Sequence, residues 1–326
     1  MVFLPAPFAR LLAAVVLVLA CSWNAPHDNP LDPSVGGSIE GRVLTRRATP
    51  IAGALVSIPQ AGRFCSSDSA GGFFLLGLPA ESVKLVVSAE DYAPETSGLS
   101  LAKGRIDSVV YYLNGLPYFE GCSLTTHVHD RSWPPEPLRF ASLSCVASDL
   151  DGAPDVESVW VEIPDLGCSS RLGFDPNRGR YAQTLYAGSI PGQSLDSLVG
   201  KGVFFRVLDK EGAEGDQEEV RVSRIISDLP VQLFPAGGLD TVATDTNFVW
   251  NRFDLGYWVT YYAEVVRIEG GGPSSVVASF EIDRPEDTTF RLNHSLLAPG
   301  DYYWTVEVLD AFGNSSRASE ELFHAR

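Results

Sequence analysis

The chain has 326 residues, enough for two or three domains. Its 45% apolar residues can fill ordinary cores, which excludes a disordered polymer. Lys+Arg 24 against Asp+Glu 41 gives a net charge of −17, a field that repels phosphate backbones and excludes nucleic acid as a partner.

Residues 1–20 read as an address. Arg10 precedes the apolar run Leu11-Leu12-Ala13-Ala14-Val15-Val16-Leu17-Val18-Leu19-Ala20. Ten helical residues rise about 15 Å, half of a hydrocarbon core, so the run is a secretory signal rather than a membrane span. Val18-Leu19-Ala20-Cys21 resembles the bacterial lipobox. The resemblance implies cleavage before Cys21, diacylglycerol on its thiol and acylation of the new amine. Ser22 in the next position implies retention at the outer membrane. Leu19 is bulkier than the usual residue at its position. Residues 21–37 hold Pro, Asn, Asp and Gly with no apolar period, and so form a lipidated tether.

From 38 to 116, short strands alternate with turns. Ile39–Leu44 and Ala54–Ile58 alternate in period two, Asp68-Ser69-Ala70-Gly71-Gly72 turns, and Phe73–Leu75, Val83–Ala89 and Asp107–Leu113 are further strands. The pieces Ile39-x-Gly41-Arg42-Val43, Pro50-Ile51-Ala52-Gly53-Ala54-x-Val56, Asp68-x-x-Gly71-x-Phe73, Gly77-Leu78-Pro79 and Tyr92-x-Pro94 resemble the carboxypeptidase regulatory-like (transthyretin-like) domain. That resemblance implies a seven-stranded prealbumin-like sandwich and an accessory, non-catalytic role.

From 117 to 227, strands are expected at Arg139–Ala147, Val156–Ile163, Arg180–Leu185, Val203–Leu208 and Glu218–Ile226. Their spacing argues for an immunoglobulin-like sandwich. From 228 to 326, Phe248-x-Trp250, Tyr262-x-Glu264-x-Val266 and Leu297-Ala298-Pro299-Gly300-Asp301-Tyr302 together resemble fibronectin type III. Period two puts Tyr302, Trp304, Val306 and Val308 on one face and Thr305 and Glu307 toward solvent. The fold class is therefore all-β, with tandem sandwiches (prealbumin-like, immunoglobulin-like, fibronectin type III-like) behind a lipoprotein signal peptide.

Candidate chemistry is sparse. The histidines His27, His127, His129, His294 and His324 stand in no HxxE or HExxH pattern, and neither a GxSxG elbow nor a glycine-rich phosphate loop occurs. Catalysis is not expected. His127-x-His129 puts two imidazoles on one strand face, the beginning of a metal site with no further ligand to name.

Loops B–C and F–G of an immunoglobulin-like sandwich share one end, so Asp149, Asp151 and Asp155 are expected beside Asp209 and Glu211. Such hard oxygens suit Ca²⁺, although Asp-x-Asp-Gly is also ordinary turn chemistry. No cofactor is implied, with calcium the possible exception. Tyr257, Trp258 and Tyr261, with Tyr262, could stack on sugars if exposed, but strand alternation sends about half of such a cluster into the core.

With Cys21 lipidated, four cysteines remain, in an oxidising compartment. A bend centred between Trp133 and Pro134 pairs Cys122 with Cys145 across a hairpin, within disulfide reach in the non-hydrogen-bonded register. Cys168 is the rival partner, and Cys65 is left alone.

The expected function is a non-catalytic cell-envelope lipoprotein, lipid-anchored in the outer membrane and facing the periplasm or the surface. There it acts as a scaffold, adhesion or assembly module for envelope proteins or polysaccharide. The alternative is a carbohydrate-binding surface protein; an envelope hydrolase is a distant third.

Overall fold

The computed structural model describes residues 36–326, apart from 80, 133, 239, 243–244, 271–273 and 293–296. The signal, Cys21 and most of the tether lie outside the described residues, as does Trp133. Among the described residues, strands are joined by turns and short 3-10 segments, with no α-helix. The chain divides after Leu116 into two compact units.

The first unit holds β1 (Gly37–Thr45), β2 (Leu55–Ile58), β3 (Arg63–Ser66), β4 (Gly72–Leu78), β5 (Ser82–Ser88), β6 (Glu95–Ser100) and β7 (Ile106–Leu113). They form two sheets, β4-β1-β7 and β3-β2-β5-β6, the seven-stranded sandwich that the motifs imply. Alternation along the strands sends Ile39, Val43, Val56, Ile58, Leu75, Leu85 and Val87 into one core. Gly41 is needed for close approach: a Cβ there would stand 2.4 Å from the Val109 carbonyl oxygen and 2.6 Å from the Phe73 ring. The Phe73 ring occupies the space that a side chain would take.

The second unit, Pro117–Arg326, contains two sandwiches. The first is built from β8 (Pro117–His129), β9 (Leu138–Asp149), β10 (Val156–Ile163), β11 (Cys168–Asp175), β12 (Arg180–Tyr186), β13 (Gly202–Asp209) and β14 (Glu218–Arg221). Its order, β14-β13-β10-β11 continuing through β12-β9-β8, is that of an immunoglobulin-like sandwich, with β11 passing from one sheet to the other. The β8–β9 register pairs His129 with Leu138 and Cys122 with Cys145, the hairpin centre that the sequence predicts. One strand is shorter than expected: β14 ends at Arg221, and the chain beyond leaves the ladder while Val222 and Ile226 still bury their side chains.

The second sandwich holds β15 (Gln232–Phe234), β16 (Thr241–Val242), β17 (Asn247–Trp250), β18 (Val259–Arg267), β19 (Ser275–Ile282), β20 (Thr289–Arg291), β21 (Gly300–Asp310), β22 (Ser315–Arg317) and β23 (Glu321–Ala325). The sheet β15-β17-β20 faces one in which β19, β18 and β21 are followed by β22 and β23. Tyr302, Trp304, Val306 and Val308 are buried on the core face, as their period requires. Thr305 corrects the solvent assignment of the other face, being only 5% exposed. It is a small residue on an interior strand, opposite Glu264 and flanked by Tyr303 and Glu307, and these larger side chains shade it.

The two cores are separate, yet the sheets are continuous. β22 pairs in parallel with β8, Ser315 to Arg317 running beside His127 to His129.

Candidate functional site

The acidic loops come together. Gly152 N–H donates to the Asp149 carbonyl, Asp155 N–H to Gly152, and Lys210 N–H to Asp155, which ties the β9–β10 loop to the β13–β14 turn. One oxygen each from Asp149, Asp151 and Asp155 lies within 4.8 Å of the others, and the same holds for Asp155, Asp209 and Glu211. Asp149 and Asp209 are buried, at 4% and 1% exposure, while Glu211 is open to solvent. Burial pushes the Asp149 carboxyl up to about 6. The charges of Asp155, Asp151 and Asp209 act in the same sense, and the Asp151 N–H opposes them. All five residues named from the sequence thus lie in one cluster.

A second cluster sits at the junction of the two sandwiches. His127 and His129 of β8 and Glu307 of β21 bring their ligating atoms within 4.8 Å. The sequence offered the two imidazoles but gave no signal for Glu307, which a turn of sheet brings in from far along the chain. Both His127 nitrogens are occupied, Nε2 by Thr125 Oγ1 and Nδ1 by Ser315 Oγ, each at 2.8 Å. A neutral imidazole has one donor and one acceptor, so a metal here would have to break a hydrogen bond. His127 also stacks on Phe140, ring centroids 4.9 Å apart. Burial, with the charge of His129, holds its imidazole below the usual range. Glu307 is also desolvated, but the His129 imidazole 3.7 Å away and the neighbouring Ser315 outweigh this and hold its carboxyl low. The arrangement is a joint of the two sandwiches rather than a metal cage.

Asn314 completes the joint, and sequence reasoning missed it. Its Oδ1 accepts from both the N–H and the hydroxyl of Thr126, at 2.9 Å each. Its Nδ2 donates to Asp310 Oδ2, which also accepts from Arg224 Nε at 2.8 Å.

The aromatic cluster divides. Tyr261 is 1% exposed, packs on Trp250 and donates its hydroxyl to the Pro285 carbonyl, so it cannot stack on a sugar. Tyr257 is half-buried with the Arg224 guanidinium 3.9 Å above its ring, which covers that face. Trp258 is 61% exposed and presents its indole to solvent.

Among the described residues Cys65, Cys122, Cys145 and Cys168 are thiols. The hydrogen bond with Cys145, then burial, raises the Cys122 thiol. Two grooves remain. One, of about 670 Å³, lies in the first unit among Arg42, Cys65, Asp68, Phe74 and Val110; the other, of about 350 Å³, lies among Ile163, Cys168, Gln183, Tyr186 and Ile190.

Residues 38–113 match the family model of the carboxypeptidase regulatory-like domain. No curated protein matches the chain. Among solved structures, the Bacillus anthracis TIE protein is 10% identical, with a TM-score of 0.28, over 89% of this chain and 50% of that protein. This chain thus spans half of its length. A Bacteroides uniformis protein named for a proposed carbohydrate-binding role is 11% identical, with a TM-score of 0.23, over 58% of this chain and 100% of that one. The FN1–FN3 domains of chicken CNTN1 are 10% identical, with a TM-score of 0.24, over 65% of this chain and 64% of theirs. Scores this low carry no assignment of ligand or partner.

Proposed function

We propose that this chain is a non-catalytic lipoprotein of the cell envelope, held in the outer membrane through Cys21, whose β-sandwiches serve as a scaffold, adhesion or assembly module. The observation that carries this reading is the joint between the second and third sandwiches. Three residues of β22 pair with β8, and the buried Asn314 spans both sandwiches. Interlocking of this kind suits a part that transmits position and load. Envelope proteins or polysaccharide are the partners that follow from such a location, and the net charge of −17 disfavours nucleic acid.

The test is expression of the full chain in a Gram-negative host with labelled palmitate. Wild type is expected to take up label and partition into detergent, and Cys21→Ser to do neither. Label and detergent partitioning that survive the substitution refute the anchor.

Carbohydrate binding is the second reading, favoured by the exposure of Trp258 at 61% and of Phe312 at 63%. Arg224 lies against both Phe312 and Tyr257, the residue beside Trp258. Trp258→Ala should abolish polysaccharide pull-down without changing the melting temperature. Pull-down that Trp258→Ala leaves intact removes this reading.

A further inference from the structure

The acidic cluster of the second sandwich contains one buried carboxylate oxygen that its turns do not use. Asp149 Oδ1 accepts the Asp151 N–H at 2.6 Å, and Asp209 Oδ1 accepts the Ala213 N–H at 2.7 Å, which is ordinary turn chemistry. Asp149 Oδ2 is different. It is buried, on a residue 4% exposed, and has no hydrogen-bond partner. A carboxylate oxygen desolvated without a donor is costly, and beside further carboxylates it is costlier still.

The third sandwich shows how such a turn is otherwise neutralised. There Asp310 makes the same backbone bonds, with Arg224 and the Asn314 amide on its second oxygen. The Asp209 turn has Ala213 at the place of Asn314, so the further contacts of Asp209 come from elsewhere, and no donor reaches Asp149 Oδ2.

We propose that Asp149, Asp151, Asp155, Asp209 and Glu211 form a Ca²⁺ site, with Asp155 shared by the two triads. Calcium holds oxygens at about 2.3–2.6 Å, so two of its ligands stand at most about 4.6–5.2 Å apart. Each triad, within 4.8 Å, fits such a sphere. Magnesium at about 2.0–2.1 Å requires tighter closure, and all-oxygen ligands do not favour zinc. The other four carboxylates have further contacts of their own, which calcium has to share or displace. The inference does not depend on the anchor or on the partner proposed above.

The test uses the full chain in detergent, stripped with EGTA and titrated with CaCl₂ by calorimetry and thermal melting, with MgCl₂ in parallel. Saturable binding in the micromolar to millimolar range and a rise in melting temperature are expected, with magnesium at least tenfold weaker. Asp149→Asn and the exposed Glu211→Gln should each weaken calcium at least tenfold. Asp245→Asn, an exposed acid of the third sandwich, should leave it unchanged. Glu211→Gln also guards against misfolding as an explanation of the Asp149→Asn result. Equal melting curves in calcium and EGTA overturn the proposal. So does binding that both cluster variants retain, since the ion would then sit elsewhere on this acidic chain.

Discussion

Replacing Asn314 with alanine tests whether the second and third sandwiches are one mechanical body. Asn314 is 3% exposed and Thr126 is fully buried. The substitution leaves the Thr126 N–H and hydroxyl without their shared acceptor. A buried donor deprived of its partner costs about 1–3 kcal/mol. Two such donors, partly relieved by an entering water, cost about 2–4 kcal/mol together. The lost bond to Asp310 adds little, because Arg224 Nε at 2.8 Å and the Phe312 N–H at 2.9 Å still serve that carboxylate. For a unit of this size the melting temperature should fall by about 5–15 °C. Thr126→Val removes one of the two donors, so the double variant should lose less than the sum of the singles. Urea melts of the four proteins measure this cycle. A loss under about 1 kcal/mol for Asn314→Ala, or strict additivity in the cycle, refutes the joint as drawn.

Oxidised glutathione should join the opposed Cys122 and Cys145, the two thiols giving up two protons and two electrons to the glutathione disulfide. A Cys145–Cys168 peptide in non-reducing maps would reject that pairing. The His127 imidazole is held below its ordinary value of about 6.5, so between its folded value and about 6.5 the unfolded chain binds more protons and stability falls with falling pH. His129, Glu307 and Arg317 share this part of the sheet, and His127→Gln, which keeps hydrogen-bonding capacity but does not titrate, should flatten the melting profile between pH 7 and 5. A profile unchanged from wild type counts against the joint's titration. Gly41→Ala should destabilise the first unit by about 1–3 kcal/mol, because the added Cβ meets backbone at 2.4 Å. A denaturation midpoint equal to wild type would refute the close approach of the Val109 carbonyl to Gly41.

The parts of the fold that were legible in the sequence are those that depend on period and on local turn chemistry. Tyr302, Trp304, Val306 and Val308 announce their face because a strand alternates whatever it packs against. The Cys122–Cys145 register was legible because a hairpin's centre fixes every pair along it. Period alone could not decide which of the clustered tyrosines faces in. Tyr261 and Tyr262 are neighbours, and it is the sheet opposite, through Trp250, that makes Tyr261 the buried one. Nor could it reveal that Glu307 approaches His129 or that Asn314 serves Thr126. These contacts join different sandwiches through a parallel pairing only three residues long. So short a pairing leaves no repeat in the sequence.

The Asp-x-x-Gly turns show where reading ends and structure begins. Asp68, Asp209 and Asp310 each accept the N–H of the glycine three residues on, and each side chain accepts the next N–H. Gly71, Gly212 and Gly313 all hold positive φ, at 74°, 86° and 83°, which is why the fourth position is glycine each time. The local chemistry is thus the same three times over, and the sequence shows it. What differs is what meets the second carboxylate oxygen or the loop beside it. Asp310 meets the Arg224 guanidinium, delivered by the chain leaving β14, and becomes part of the joint. Asp209 meets the β9–β10 loop and becomes part of an acidic cluster around the bare oxygen of Asp149. One turn therefore yields a structural ion pair in one sandwich and a candidate cation site in the other. The choice between them lies in which neighbouring segment the topology places against the turn.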